Sequence, residues 1–114
     1  MTYLLQIYTS NTAQDFEALS ADERNAITDE YMAIAQTPGI LGGHQLQGPE
    51  TATTVRVQNG STLTTDGPFA ETKEAIGGYY LFQADDLDAA IELAARIPAA
   101  RLGGAVEVRP VVER

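Results

Sequence analysis

The sequence predicts an α+β domain: an antiparallel sheet with two helices on one of its faces. Three observations lead there. Short apolar and β-branched runs alternate with two segments of helical period. A tight-turn dipeptide, Asn59-Gly60, splits one polar run into a hairpin. The resulting order is strand, helix, strand, hairpin, strand, helix, strand. With the hairpin set aside as an insertion, that order is βαββαβ, the ferredoxin-like pattern. The 114 residues make one domain, residues 1–114, without repeats, linkers or low-complexity tracts.

The elements follow from local chemistry, in chain order. Tyr3-Leu4-Leu5-Gln6-Ile7-Tyr8 is a short apolar run, expected to be a strand buried on both faces. Polar residues from Thr9 to Gln14 end it, and a further helical turn is expected around Asp15 to Leu19. Ser20-Ala21-Asp22-Glu23 reads as a capping box, with the Ser20 hydroxyl and the Glu23 side chain satisfying each other's backbone amides. Ile27, Tyr31 and Ile34 then fall on one helical stripe, and Pro38-Gly39 stops the helix.

Ile40-Leu41 and Gln45-Leu46-Gln47 predict a second strand, loosened by Gly42-Gly43 and ended by Gly48-Pro49-Glu50. Thr53 to Gln58 and Ser61 to Thr65 flank Asn59-Gly60, the pair that best tolerates the two positive φ angles of a type I′ turn. Asp66 to Glu74 reads as a loop, and Gly77-Gly78 precede the strand Tyr79 to Ala84. Asp85 is expected to cap the second helix, with Leu87, Ile91 and Ala94 as its buried stripe and Glu92 and Arg96 as a surface pair. Ile97-Pro98 closes that helix. Val106, Val108 and Val111 predict a last strand, which Pro110 confines to an edge or terminal position. Helices on one face leave the other needing cover, from water-tolerant residues or a second subunit. The terminal strands read as apolar on both faces, which favours the second subunit.

Composition excludes several function classes. Seven basic against 16 acidic residues give a net charge of −9 and a pI near 4.3. The basic residues Arg24, Arg56, Lys73, Arg96, Arg101, Arg109 and Arg114 form no run. Nucleic acid and anionic membrane surfaces therefore repel the chain as a whole. The absence of cysteine removes disulfides, thiolate nucleophiles and thiolate metal sites, and a single histidine removes a multi-histidine metal site within one subunit. The N-terminal residues lack the basic and apolar regions of a signal peptide, and no run approaches the ~20 apolar residues of a membrane span. A cytoplasmic protein is expected. No P-loop and no Gly-x-Gly-x-x-Gly fingerprint is present, and no cofactor is expected.

Asp66-Gly67-Pro68-Phe69-Ala70-Glu71-Thr72-Lys73-Glu74 resembles the signature of the YCII-related family, in its DGPF-containing branch. Gly77-Gly78-Tyr79-Tyr80, Ile97-Pro98-Ala99-Ala100 and Val106-Glu107-Val108-Arg109-Pro110 are similar to further segments of that branch. The resemblance spans nearly the whole chain. It implies a ferredoxin-like domain that pairs sheet to sheet as a homodimer, a dimeric α/β barrel. It also implies either a cofactor-free enzyme acting on small organic molecules through a His–Asp pair, or a regulatory module associated with sigma-factor-like proteins. Asp66 matches the acidic position of the pair. The family's histidine lies on the first helix, where this chain has Tyr31 at the approximate position; its one histidine, His44, falls on the second strand.

The candidate catalytic residues are thus Asp66 and His44. A carboxylate acting as a general base calls for burial, whereas the plainer role for Asp66 is an Asx-turn onto backbone amides. A histidine can relay protons, or simply stand hydrogen-bonded on a strand. The candidate ligand-binding residues are Phe69, Glu71, Lys73 and Tyr80. Lys73, the single lysine, serves either as an anchor for a substrate carboxylate or as the partner of Glu71 or Glu74 in locking the loop. Phe69, Tyr79, Tyr80 and Phe82 line an aromatic pocket or pack the core and a dimer interface. The lead expectation is a homodimer with one small-molecule cleft per subunit near Asp66. Its rivals are a non-catalytic binding or regulatory module, and a purely structural Asp66 loop at the dimer interface.

Overall fold

A computed structural model describes residues 1–10, 18–69 and 74–114. The elements are β1 (Thr2–Ser10), α1 (Ala21–Ala35), β2 (Ile40–Gln45), β3 (Thr53–Gln58), β4 (Ser61–Asp66), β5 (Glu74–Gln83), α2 (Leu87–Arg96) and β6 (Ala105–Pro110), with 3-10 turns at Pro49–Thr51 and Pro98–Ala100. Four strands form one sheet in the order β2-β5-β1-β6, each antiparallel to its neighbours. This α+β arrangement of antiparallel strands and two helices is consistent with the ferredoxin-like expectation. β3 and β4 form a separate two-stranded sheet.

β1 is hydrogen-bonded on both sides, and its alternation decides the faces. Tyr3, Leu5 and Ile7 are buried, and residues paired with them across the sheet, Phe82, Tyr80, Val108 and Val106, point the same way. Onto this face pack Ile34 from α1, Ala90 and Leu93 from α2, and Ile97. Leu5 and Ile97 are 0% exposed. The opposite face carries Leu4, Gln6 and Tyr8, which are only partly covered. Within one chain a single layer of helices covers one face of β1 and leaves the other partly exposed.

The caps are settled by hydrogen bonds. Ser20 accepts from the Glu23 amide at 3.1 Å while the Glu23 carboxylate accepts from the Ser20 amide, as the capping box predicts. On α2 the cap is Asp86, not Asp85: its carboxylate accepts from the Ala89 amide at 2.8 Å. The buried stripe of α2 also differs from expectation. Ala90, Leu93, Ala94 and Ile97 face the sheet, while Leu87 and Ile91 are 48% and 49% exposed. Small alanines let the helix sit close to the sheet, which turns Leu87 and Ile91 roughly a quarter-turn away. Glu92 and Arg96 form no ion pair; the pairs among the described residues are Arg101–Glu30 and Arg109–Glu107.

The hairpin turn forms as predicted, with Asn59 at φ 51° and Gly60 at φ 77°. Several strand limits move: β1 extends to Ser10, β2 ends at Gln45 before Leu46 and Gln47, and β6 ends at Pro110 before Val111. β4 ends at Asp66 itself, and β5 starts at Glu74 and so contains Gly77 and Gly78. Residues 15–17 of the expected turn at 15–19 lie outside the described residues.

Leu93→Ala is expected to cost about 2–4 kcal/mol of unfolding free energy, and Leu87→Ala within about 0.5 kcal/mol of nothing. Equilibrium urea unfolding of the two variants checks the assigned stripe; the reverse order of costs refutes it.

Candidate functional site

The sheet face turned away from the helices gathers polar side chains into a row. The register aligns His44 on β2 with Tyr79 on β5, Tyr79 with Gln6 on β1, and Gln6 with Glu107 on β6. Directly opposed residues share a face, so these four stand side by side across the open surface. His44 Nδ1 lies 3.0 Å from the Tyr79 hydroxyl, and the two rings are tilted by 49° at 5.8 Å. If the phenol donates to Nδ1, the imidazole carries its proton on Nε2 and presents a donor there; in the other tautomer Nε2 is an acceptor. Glu107 accepts from Arg109 at 2.5 Å. The neighbouring row sets Leu4 between Leu81 on β5 and Arg109 on β6.

A glycine allows this placement. Gly43 pairs with Tyr80 on the helix side of the sheet, and a Cβ at Gly43 would stand 2.8 Å from a Tyr80 ring carbon. The missing side chain lets the Tyr80 ring lie over the strand, while His44, one residue on, turns to the open face.

Tyr80 therefore belongs to the helix-facing layer. Its hydroxyl donates to the Tyr31 carbonyl at 3.2 Å. Tyr31 is in the same layer, packed against the core and away from His44. Burial pushes both phenols above the usual tyrosine range; for Tyr80 the nearby Tyr31 adds to the rise, and for Tyr31 a hydrogen bond from the Ala99 backbone partly offsets it.

Asp66 sits at the end of β4, opposite Thr53, and is exposed. Its carboxylate makes no hydrogen bond or ion pair among the described residues, so the Asx-turn expectation is corrected. The backbone closes the turn instead. Gly67, at φ 101°, donates its amide to the Ala52 carbonyl at 2.7 Å, and the Thr54 hydroxyl donates to the Gly67 carbonyl at 2.8 Å. Phe69 is 73% exposed, with the Arg56 guanidinium 4.6 Å above its ring. Glu71 and Lys73 lie outside the described residues. Within one chain no contact joins Asp66 to His44; the partner of His44 is Tyr79. That pairing was hidden in the sequence, because 35 residues separate the two and only strand register brings them together.

Two recesses stand out among the described residues. One, of about 270 Å³, is lined by Glu30, Ala33, Ile34, Arg96 and Arg101 on the helix side. There Arg101 holds Glu30 through two hydrogen bonds of 2.8 and 2.6 Å, which keeps the Glu30 carboxyl below its usual range. The other, of about 140 Å³, lies at the Asp66 turn, lined by Thr54, Arg56, Thr65, Pro68 and Phe69. Both fall short of the roughly 300–1,000 Å³ of ordinary ligand pockets.

The tyrosine pair has a pH signature. A phenol whose ionisation is raised by folding adds stability that is intact below its unfolded value of about 10 and is lost as pH rises through the folded value. Unfolding free energy should therefore decline above pH about 10, and Tyr31→Phe should flatten that decline; urea unfolding across alkaline pH checks it, and an unchanged slope refutes it.

The model of the YCII-related domain matches residues 1–114. An uncharacterised protein of Rhizobium meliloti (strain 1021) is 34% identical, over 97% of this chain and 92% of its own length. The match runs the whole length of the chain, and the chain belongs to the YCII-related domain family.

Proposed function

We propose that the chain acts as a homodimer, a dimeric α/β barrel of the DGPF-containing kind, that binds a small organic molecule between its two sheets. The observation that carries this reading is the open sheet face. It presents partly exposed Leu4, Tyr8 and Leu81 beside the hydrogen-bonded His44–Tyr79 pair. A monomer has no reason to leave leucines and tyrosines of its central strands in water.

Charge supports the same face. Asp22, Glu23, Asp29 and Glu30 lie on α1, and Asp85, Asp86, Asp88 and Glu92 on or beside α2. β1 and β2 carry no carboxylate, β5 has one at its first residue, Glu74, and Glu107 on β6 is matched by Arg109. Two chains of net charge −9 can therefore meet through their sheets with little repulsion. Strands about 4.8 Å apart and up to ten residues long span a face of roughly 20 by 30 Å. That is on the scale of the ~800 Å² per partner of a stable interface.

Chemistry in the cleft centres on His44, which exchanges a proton with the ligand through Nε2 while Tyr79 orients the ring through Nδ1. Asp66, the second acid–base candidate, stands at the mouth. The reaction class is cofactor-free proton transfer, as in isomerisation or elimination on a small organic acid, in the cytoplasm. Binding without turnover, as in a regulatory module linked to transcription, is the other use of such a cleft. The backbone-anchored turn at Gly67 and the Arg56–Phe69 stack favour a structural part for the loop itself.

Sedimentation should give twice the 12.2 kDa chain mass, and Leu81→Glu should give a folded monomer; a monomeric wild type refutes the dimer. A thermal-shift screen of small aromatic and aliphatic carboxylic acids should find a ligand whose shift is lost in His44→Ala. With a substrate in hand, His44→Ala should lower turnover by roughly a hundredfold or more. A shift that survives in His44→Ala refutes the site, and stabilisation without turnover assigns the binding role.

A further inference from the structure

The β3–β4 hairpin is the part of the chain that the fold leaves unexplained. Alternation and register place Thr53, Val55 and Val57 with Thr62, Thr64 and Asp66 on one of its faces. Val55 and Val57 are 59% and 68% exposed, and Leu63 on the other face is 45% exposed. A two-stranded hairpin alone in water is marginally stable, so a β-branched face of this kind calls for cover.

Its own sheet does not supply that cover. The chain measures 47 × 43 × 19 Å, and its shortest dimension fits one helix layer on one sheet layer. A hairpin folded back over the open face would add a third layer of about 10 Å. The radius of gyration, 16.0 Å, also exceeds the about 13 Å of a compact domain of this length. The hairpin thus reaches sideways from the body as an arm.

The arm matches a second copy in charge. Between Thr53 and Asp66 it holds one base, Arg56, and one acid, Asp66, in a chain of net charge −9. The open sheet face, with its Glu107–Arg109 pair, is the matching near-neutral surface. Six residues per strand extend about 20 Å, enough to cross the width of four strands.

We propose that the hairpin of one copy packs its Val55–Val57 face on a second copy and roofs the cleft beside that copy's His44–Tyr79 pair. The site is then incomplete in a single chain. Asp66, at the base of the same face, is carried to the rim of the cleft. This inference rests on the homodimer reading and adds the segment that closes the site.

The chain suits a direct test. A photoreactive benzoyl-phenylalanine replaces Val57 in unlabelled chain, which is mixed with heavy-isotope chain lacking the probe and irradiated. Crosslinks from position 57 to heavy peptides are expected. Crosslinks confined to the probe's own chain, or none in a mixture that sediments as a dimer, overturn the exchanged arm and leave the dimer standing. A mixture that sediments as a monomer overturns both. The single histidine gives a second readout by mass spectrometry. Acylation of His44 by diethylpyrocarbonate should be several-fold faster in a Val55→Asp, Val57→Asp double variant that remains dimeric. An unchanged rate in that dimer overturns the roof.

Discussion

The pairing of β1 with β5 on one side and β6 on the other is the constraint on which the rest of this structure depends. A strand bonded along both edges cannot slip by one residue without turning Tyr3, Leu5 and Ile7 out of the core. Its register fixes which side of β5 and β6 faces the helices. Through β5 it also fixes β2, and so the positions of Gly43 and His44. The core and the candidate site are two faces of the same ladder. The alternation that buries Tyr80 against Tyr31 lifts Tyr79 to meet His44.

That shared ladder has an energetic consequence. One layer of helices covers one sheet face, and the carboxylates of the two helices lie on that side. The other face keeps leucine and tyrosine surface together with a hydrogen-bonded histidine. Such a surface is costly to leave in water and easy to bring against a similar one, because little net charge accompanies it. In the proposed function, self-association and ligand binding draw on the same residues. Backbone bonds at Gly67 tie the end of β4 to Ala52 and Thr54, and the Asp66 side chain makes no hydrogen bond among the described residues.

Much of the fold was legible because it depends on short-range chemistry. The capping box at Ser20 and Glu23, the type I′ turn at Asn59-Gly60, and the alternation of Val106, Glu107 and Val108 are each decided within a few residues. Errors came where two local choices were equally good. Asp85 and Asp86 are both competent caps, and only the packing of α2 on the sheet selects the second. The expected stripe joined Ala94 to Leu87 and Ile91, which are larger and more apolar than Ala90. The alanines are nevertheless buried, because a close helix–sheet approach favours small side chains at the contact. Tyr79 and Tyr80 could not be assigned to faces before the register of β5 was known.

By itself, the sequence determined the class and order of the elements, the hairpin and its turn, the acidity of the chain and the candidacy of His44 and Asp66. These are properties of neighbouring residues and of totals. The tertiary structure alone decided that His44 meets Tyr79 and makes no contact with Asp66, that Tyr80 belongs to the core, and that the hairpin stands apart from the sheet. Each of these joins residues far apart in the chain. Such contacts arise from strand register and layer packing, where a shift of one residue reverses the outcome and no local pattern records which register prevails.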